Sequence, residues 1–305
     1  PETTQMLIQT VADYGFTTIR IPITWDKFVD EKNQVDTEFL ARVKQIVDWS
    51  LDEGLFVIIN SHHDGEWLIP SEEKYDETSQ KLCAIWEQVG TYFADYDERL
   101  VFEAMNEPRV GDDWNGNWKT QWIVNQLGLD FVSTIRGLGG NNSDRFLLVP
   151  CYAATSNSKV WERYQFPDDD RVILSVHGYM PYNFALNVNG TAEWNPDNPN
   201  DTRDIDNLFE AIDELLLKKG KAVVIGEFGV LNKSNLPDRI ACVDYYSKKA
   251  AELNIPIFWW DNNAYTEGET FGLINRVTYE CVYPEIVETM INNWYETDFS
   301  FEEKE

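Results

Sequence analysis

Two glutamates follow short apolar runs, in positions from which a carboxyl group can carry out acid, base or nucleophilic chemistry. Residues 100–105 lead to Glu107, and residues 222–226 lead to Glu227. A strand that is buried on both faces reads as a continuous apolar run, so a polar group at its end emerges where the core stops. Two carboxyls that face one cleft meet the needs of glycosidic bond cleavage, in which one donates a proton and the other stays ionised.

Further polar and aromatic side chains stand at the ends of other apolar runs, and all three histidines of the chain are among them. They are Arg20, His62, His63, Asn106, His177, Tyr179 and the tryptophan pair Trp259 and Trp260. In a parallel α/β barrel the C-terminal strand ends meet at one face, where the chemistry takes place. Each residue alone has a structural interpretation, such as an internal ion pair for Arg20. Together, these side chains have compatible chemical roles, and they predict one functional site.

Apolar runs of strand length alternate along the chain with longer segments of helical period. We predict seven strands, at residues 16–23, 55–60, 100–107, 146–151, 171–179, 221–227 and 255–260. Repeated strand–helix units predict a parallel sheet with right-handed crossovers, and therefore an α/β barrel. The chain opens with a predicted helix at residues 3–14, which Gly15 ends, and no strand is visible before it.

Length and composition indicate one large catalytic domain. We place this domain at residues 1–296 and an acidic tail at residues 297–305. The formal net charge of −28 disfavours nucleic acid and anionic membranes as partners. The chain holds 12 Trp, 14 Tyr and 16 Phe, and exposed aromatic rings suit the flat apolar faces of sugars.

The three histidines make metal catalysis the main rival interpretation. His62 and His63 are adjacent, and neighbouring side chains in a strand point to opposite faces, so these two cannot readily chelate one ion. The glycine motifs of nucleotide sites and the GxSxG serine motif do not occur in the sequence. We therefore predict no metal and no cofactor.

Cysteines and glycosylation sequons bear on the compartment. The four cysteines, Cys83, Cys151, Cys242 and Cys281, lie far apart and lack the CxxC spacing of a structural zinc site, and their pairing is left open. Sequons begin at Asn141, Asn189, Asn200 and Asn232. Such sequons fit surface loops of a secreted protein, so an extracellular location is expected.

Six segments carry a resemblance to a known enzyme family. They are residues 18–22 (TIRIP), 61–67 (SHHDGEW), 106–108 (NEP), 176–179 (VHGY), 225–229 (IGEFG) and 258–261 (FWWD). The chain resembles glycoside hydrolase family 5, retaining enzymes with a (β/α)8 TIM barrel, and it is most similar to the β-1,4-endoglucanases, or cellulases. Members of that family carry a strand ahead of the first helix, so the resemblance implies a first barrel strand outside this numbering.

The resemblance also implies a role for each candidate residue, with Glu107 as the acid/base and Glu227 as the nucleophile. Supporting residues would be Asn106 for the sugar 2-hydroxyl, Arg20 and Tyr179 for the nucleophile, His177 beside the acid/base, and His62 and His63 for the sugar. Trp260 would form the stacking floor, with Trp259 as its alternative. Candidate subsite aromatics are Trp67, Trp114, Trp118, Trp194 and Tyr265.

The resulting hypothesis is a retaining endo-β-1,4-glucanase that cleaves internal bonds of cellulose-type glucans through a covalent glycosyl-enzyme. It would act as a monomer on β-glucan polysaccharides or oligosaccharides, without nucleic acid, membrane or cofactor. The same machinery could serve mannan, xyloglucan or mixed-linkage glucan, because loops rather than the two glutamates decide the glycan. A non-catalytic carbohydrate-binding barrel is a further alternative, and the loss of one carboxylate would be its signature.

Overall fold

The computed structural model describes residues 2–297, so the predicted acidic tail falls outside the described residues from residue 298 onward. Within this range the first element is helix α1 at Gln5–Asp13, and seven strands follow. The strands lie in one sheet in chain order, from β1 at Thr18–Ile21 to β7 at Ile257–Trp259. The predicted initial helix and the predicted number of strands are both confirmed for residues 2–297.

The chain divides into two compact units, and residues 17–176 form the one that we call the β1–β5 unit. Its strands are β1, β2 at Phe56–Asn60, β3 at Leu100–Glu103, β4 at Leu147–Pro150 and β5 at Val172–His177, whose last residue belongs to the other unit. Its helices are α2 at Thr37–Asp52, α3 at Tyr75–Tyr92, α4 at Trp118–Gly137 and the short α5 at Ser158–Trp161. Neighbouring strands pair in parallel, with Arg20 opposite Ile58 and Ile58 opposite Val101.

The other unit, which we call the β6–β7 unit, comprises residues 2–16 and 177–297 of the described part of the chain. Its described elements are α1, the short α6 at Tyr182–Ala185, α7 at Pro199–Leu215, β6 at Ala222–Phe228, α8 at Leu236–Glu252, β7 and α9 at Pro284–Glu296. Strands β6 and β7 pair in parallel, with Phe228 opposite Trp259. No helix among residues 2–297 is both long and apolar enough to cross a membrane.

Local sequence explains where the helices begin and end. Helix α2 begins after Asp36, whose carboxylate accepts hydrogen bonds from the backbone N–H groups of Glu38 and Phe39 at 2.9 Å. It ends before Gly54, which has a φ of 80° that a residue with a side chain rarely adopts. Gly54 therefore marks the end of this helix.

Aromatic packing fixes the end of strand β3 in the β1–β5 unit. The rings of Trp86 and Phe102 are buried with their centroids 5.3 Å apart, and Phe131 packs on Trp86 at 4.9 Å. Full burial of such a side chain contributes about 1.5–3 kcal/mol. The indole Nε1 of Trp86 donates to the carbonyl of Ala104 at 3.1 Å. This bond anchors the backbone just before the segment that carries the candidate acid/base.

Candidate active site

Glu107 lies beyond the end of strand β3, which corrects the prediction that the strand runs to this residue. The strand ends at Glu103, and the chain continues without regular structure through Asn106 and Glu107. The backbone N–H of Asn106 donates to the carbonyl of Ser61 at 2.8 Å, in the loop that follows β2. The apolar run outlasts the strand because Ala104 and Met105 are still buried, and the backbone N–H of Ala104 still donates to the carbonyl of Leu148 in β4 at 2.9 Å.

Arg20 and Glu103 form a buried ion pair beneath this loop. The Nε of Arg20 donates to Oε2 of Glu103 at 2.5 Å, and both side chains are almost fully buried. The Nη2 of the same guanidinium donates to Oδ1 of Asn106 at 2.8 Å. Removal of one partner from a buried pair of this kind costs about 3–5 kcal/mol, because the other charge is left without compensation. The pair thus fixes Asn106, the neighbour of Glu107, and makes Glu103 a structural charge partner of Arg20.

Glu103 is also bound by two neutral donors of the β1–β5 unit. The amide Nδ2 of Asn60 donates to Oε2 at 3.1 Å, and the hydroxyl of Ser175 donates to Oε1 at 2.8 Å. Asn60 further accepts from the backbone N–H of Ile23 at 3.1 Å and lies 3.1 Å from Nδ1 of His62. These bonds connect the ends of β1, β2, β3 and β5 into one polar network.

A second buried carboxylate, that of Asp64, shapes the loop after β2. Its Oδ1 accepts from the backbone N–H groups of Trp25 at 3.0 Å and Asp26 at 2.9 Å, and its Oδ2 accepts from the hydroxyl of Ser61 at 2.5 Å. Burial raises the pKa of Asp64 although these donors oppose that shift. The loop that carries His62 and His63 is therefore fastened to the segment after β1.

His62 and His63 are not arranged as a pair on a strand, which corrects the premise of the metal argument. They follow the end of β2 at Asn60, and their rings meet edge to face with centroids 4.4 Å apart. His62 is buried and His63 is exposed.

Glu107 itself is contacted by Arg109, a residue that was not among the predicted site residues. The Nη1 of Arg109 lies 3.4 Å from Oε2 of Glu107 and donates to its backbone carbonyl at 3.2 Å. The side chain of Glu107 is 18% exposed. A carboxyl group that is partly open to solvent can exchange protons, as an acid/base group must.

Glu227 lies inside strand β6 and is only 6% exposed. The hydroxyl of Tyr179 donates to its Oε2 at 3.0 Å, and Nδ1 of His177 lies 3.6 Å from the same oxygen. The backbone N–H of Gly178 donates to the carbonyl of Glu227 at 2.9 Å, and the hydroxyl of Tyr246 donates to the carbonyl of Gly178 at 2.9 Å. A substituent on Gly178 would meet that hydroxyl at 2.4 Å, so this position requires glycine.

The structure distinguishes the two members of the tryptophan pair. Trp259 donates through Nε1 to the carbonyl of Phe271 at 2.8 Å and packs edge-on against Phe228 with centroids 5.4 Å apart. Trp260 is the first residue after β7, and its backbone N–H donates to the carbonyl of Phe228 at 2.9 Å. Because Trp259 is committed to packing, Trp260 is the better candidate for the stacking floor.

The five candidate subsite aromatics differ in the solvent exposure of their side chains. Trp194 is 4% exposed and its Nε1 donates to the carbonyl of Asp201, so it is a packing residue and not a subsite. Trp114 and Trp118 are exposed. Trp67 and Tyr265 are half-buried, and each has a polar contact inside its own unit. Exposure of this kind depends on neighbours distant in sequence, which explains why residue type alone could not separate the five.

Sequence reasoning missed Asn60, Asp64 and Arg109. Asn60 ends an apolar run, as the predicted residues do, so the signal that identified Asn106 could have found it. Asp64 and Arg109 lie inside or next to the family motifs, but their partners are backbone groups or side chains that no spacing rule reveals. Only the folded loops bring those partners together.

Comparison with known proteins identifies one family. A model for cellulase (glycosyl hydrolase family 5) matches residues 1–266. The cellulase/esterase CelE of Acetivibrio thermocellus is 42% identical over 300 residues, which are 95% of this chain and 37% of that protein. The chain spans between 58% and 71% of the length of four further curated relatives.

Solved structures give the same result. A GH5-4 broad-specificity endoglucanase from Clostridium longisporum has a TM-score of 0.94 at 37% identity, covering 98% of this chain and 87% of that chain. Another, from Ruminococcus champanellensis with bound cellotriose, has a TM-score of 0.92 at 39% identity, covering 95% of this chain and 86% of that chain. The predicted fold class, a parallel α/β barrel, is confirmed.

Proposed function

Because the chain belongs to glycoside hydrolase family 5, we propose that it is a retaining endo-β-1,4-glucanase with Glu227 as nucleophile and Glu107 as acid/base. The single observation that supports the assignment of the nucleophile is the hydrogen bond from the hydroxyl of Tyr179 to Glu227, both of which lie in the β6–β7 unit. A hydroxyl that donates to a buried carboxylate stabilises its charged form and fixes the direction of its free lone pairs. A nucleophile needs both properties.

In the first proposed step, Glu227 attacks the anomeric carbon while Glu107 protonates the departing glycosidic oxygen. The retaining mechanism requires the two carboxyl groups to stand about 5–5.5 Å apart. Asn106, whose side chain accepts a hydrogen bond from Arg20, would bind the 2-hydroxyl of the sugar that is cleaved. Hydrogen bonds to that hydroxyl strengthen in the transition state.

In the second proposed step, Glu107 acts as a base. It takes a proton from water, whose oxygen bonds to the anomeric carbon as the ester bond to Glu227 breaks. The sugar therefore leaves with the configuration it had in the polymer. His62, His63, His177 and Trp260 would bind and orient the sugar around the point of cleavage.

The proposed substrate class is β-1,4-linked glucan, supported by the bound cellotriose of one relative and by the endoglucanase names of the others. Mixed-linkage glucan and xyloglucan are the second candidates, because the structural relatives are described as having broad specificity. Since these substrates are polymers that lie outside cells, we also propose that the enzyme acts extracellularly.

Release of reducing ends from a panel of soluble polysaccharides tests the substrate class. We expect rapid release from carboxymethylcellulose and mixed-linkage glucan, slower release from xyloglucan, and the least release from mannan. A rapid fall in viscosity would accompany endo-acting cleavage. Activity on mannan alone would contradict the proposal.

A fluorinated substrate tests the mechanism separately. A 2-deoxy-2-fluoro-cellobioside with a good leaving group slows the second step, so a glycosyl-enzyme accumulates. We expect the protein mass to rise by that of one 2-deoxy-2-fluorocellobiosyl group, a disaccharide, with the label on a peptide that contains Glu227. A label elsewhere, or a first product of inverted configuration, would refute the assignment of the nucleophile.

A further inference from the structure

Arg109 directly follows the NEP motif, and the roles above do not account for it. Its Nη1 reaches both the backbone carbonyl and the carboxylate of Glu107, at 3.2 Å and 3.4 Å. The Arg109 side chain is 29% exposed, so the pair lies where the protein meets solvent. A partly exposed ion pair with a separation of 3.4 Å contributes little to stability, on the order of 1 kcal/mol, and a purely structural purpose is therefore a weak explanation.

A second contact holds the guanidinium of Arg109 in place. Its Cζ lies 3.9 Å from the ring centroid of Trp114, an exposed side chain in the same loop. A cation–π contact at an exposed site contributes about 0.5–1 kcal/mol. Arg109 is thus positioned between an aromatic ring and the carboxylate, and its planar group is restricted on two sides.

The loop that carries Trp114 is itself fastened by Tyr152. The backbone N–H of Val110 donates to the hydroxyl of Tyr152 at 3.1 Å, and that hydroxyl donates to the carbonyl of Asp113 at 2.8 Å. A side chain at Gly116 would come within 2.8 Å of the same ring, so loop and ring fit closely. The position of Arg109 therefore follows from an ordered loop rather than from a flexible surface side chain.

A cation beside Glu107 has opposite consequences for the two proposed steps. It opposes the first step, in which Glu107 must hold a proton, because a nearby cation favours the ionised form. It favours the state that follows, in which Glu107 has lost that proton and must act as a base. The first step leaves an anionic carboxylate where a neutral acid stood, and Arg109 is the cation beside it.

We propose that Arg109 is a positioning residue that stabilises and orients the anionic form of Glu107 for the second step, and that Trp114 holds Arg109 in this position. The inference rests on the proposed function. In that step the oxygen of water bonds to the anomeric carbon, the bond to Glu227 breaks with its electron pair on the carboxylate, and Glu107 takes the proton of the water.

An activated substrate, 2,4-dinitrophenyl cellobioside, isolates the second step, because its leaving group departs without protonation. For Arg109→Met we expect kcat to fall about tenfold, a fraction of the effect of a complete general base. We expect kcat/KM, which reports the first step, to stay within about threefold of the unchanged enzyme. A pre-steady-state burst of dinitrophenolate should appear. Arg109→Lys should recover part of the loss, and Trp114→Leu should reproduce part of it.

The pH profile gives an independent readout with a defined sign. Without the cation Glu107 releases its proton less readily, so the alkaline limb of kcat/KM on cellotetraose should move to higher pH in Arg109→Met. Four other charged or titratable residues bear on the proton affinity of Glu107. Arg20 and Glu103 are linked to it through Asn106, and His177 and Glu227 act beside it in the proposed mechanism. All four are unchanged in the variant, so a movement of the limb reports the loss of Arg109.

Arg171→Met is the matched control, because Arg171 lies in the same unit and its guanidinium also stacks on an aromatic ring, that of Phe146 at 4.9 Å. It should leave kcat, kcat/KM and the pH profile unchanged. An equal loss of kcat and kcat/KM in Arg109→Met with an unmoved alkaline limb, or no change at all, would overturn the inference. An unchanged enzyme that releases no reducing ends from any glucan would overturn the proposed function itself, before any variant is compared.

Discussion

Glu107 and Glu227 are held by different kinds of structure. Glu227 belongs to strand β6, is almost fully buried, and is bound by the hydroxyl of Tyr179. Glu107 lies in a loop beyond β3, is partly exposed, and is contacted by Arg109 from its own loop. A nucleophile must keep one charge state and one direction, whereas an acid/base group must gain and lose a proton in each cycle. The rigid strand suits the first task, and the loop suits the second.

Replacement of Glu227 should have the largest effect. Glu227→Ala removes the only group proposed to form a covalent bond to the sugar, so hydrolysis of glucan should fall by a factor on the order of 10^4 or more. Added azide should restore some turnover of an activated aryl cellobioside and give a product of inverted configuration. A thermal melt serves as the control for folding. Residual activity near that of the unchanged enzyme would show that the strand carboxylate is structural.

Replacement of Glu107 should give a loss that depends on the leaving group. Glu107→Gln cannot donate a proton, so we expect about a 10^3-fold loss of kcat/KM on cellotetraose and a much smaller loss on a dinitrophenyl cellobioside. The ratio of the two losses is the measurement. Equal losses on both substrates would mean that the loop carboxylate binds or orients the sugar and does not act as an acid.

Removal of the Tyr179 hydroxyl tests how much the surroundings of Glu227 contribute to catalysis. Tyr179→Phe removes one donor to the nucleophile and leaves the ring contact with Phe271, whose centroid is 5.5 Å away. We expect kcat to fall about 10–100-fold, because the loss of a bond to a charged group costs about 1.5–3 kcal/mol. The melting temperature should change little. Unchanged kinetics on cellotetraose would indicate that other contacts alone orient Glu227.

Asp64 sharpens the comparison, because it combines the burial of Glu227 with a loop position like that of Glu107. Burial raises its pKa above the ordinary value of 3.8, so the folded protein binds this proton more tightly than the unfolded chain does. The stability associated with the protonated group is therefore present at low pH and is lost as pH rises through the folded pKa. Asp64→Asn has no such proton.

We therefore compare the free energy of unfolding by urea in the two proteins. As pH rises from about 4 to about 7, the value for Asp64→Asn should increase relative to that of the unchanged protein. This is the smallest of the four effects, since the amide oxygen can accept the bonds from Trp25 and Asp26, and the amide nitrogen can donate to the hydroxyl of Ser61 in place of the bond that this hydroxyl now donates. Using the difference between the two proteins cancels the titration of the other carboxylates. A shift in the opposite direction would show that the donors outweigh burial.

Much of the fold was predictable because strands and helices leave a periodic record in the chain. The predicted strand at residues 55–60 corresponds to β2 at Phe56–Asn60, and the predicted helix at residues 3–14 corresponds to α1 at Gln5–Asp13. The end of β3 was misplaced by four residues, because Ala104 and Met105 are as apolar as a strand and remain buried after its last residue, Glu103. Burial and strand pairing are separate properties, and an apolar run reports only the first.

The sequence by itself determined the family, the strand–helix alternation and the two glutamates, because short motifs and apolar periodicity are local in the chain. Tertiary structure decided which residues support those glutamates. The bonds of Glu103 to Arg20, Asn60 and Ser175 join residues up to 83 positions apart. The choice of Trp260 over Trp259 depends on a carbonyl twelve residues away. Hydrogen bonds and burial act through space, so no local pattern of residues encodes their partners.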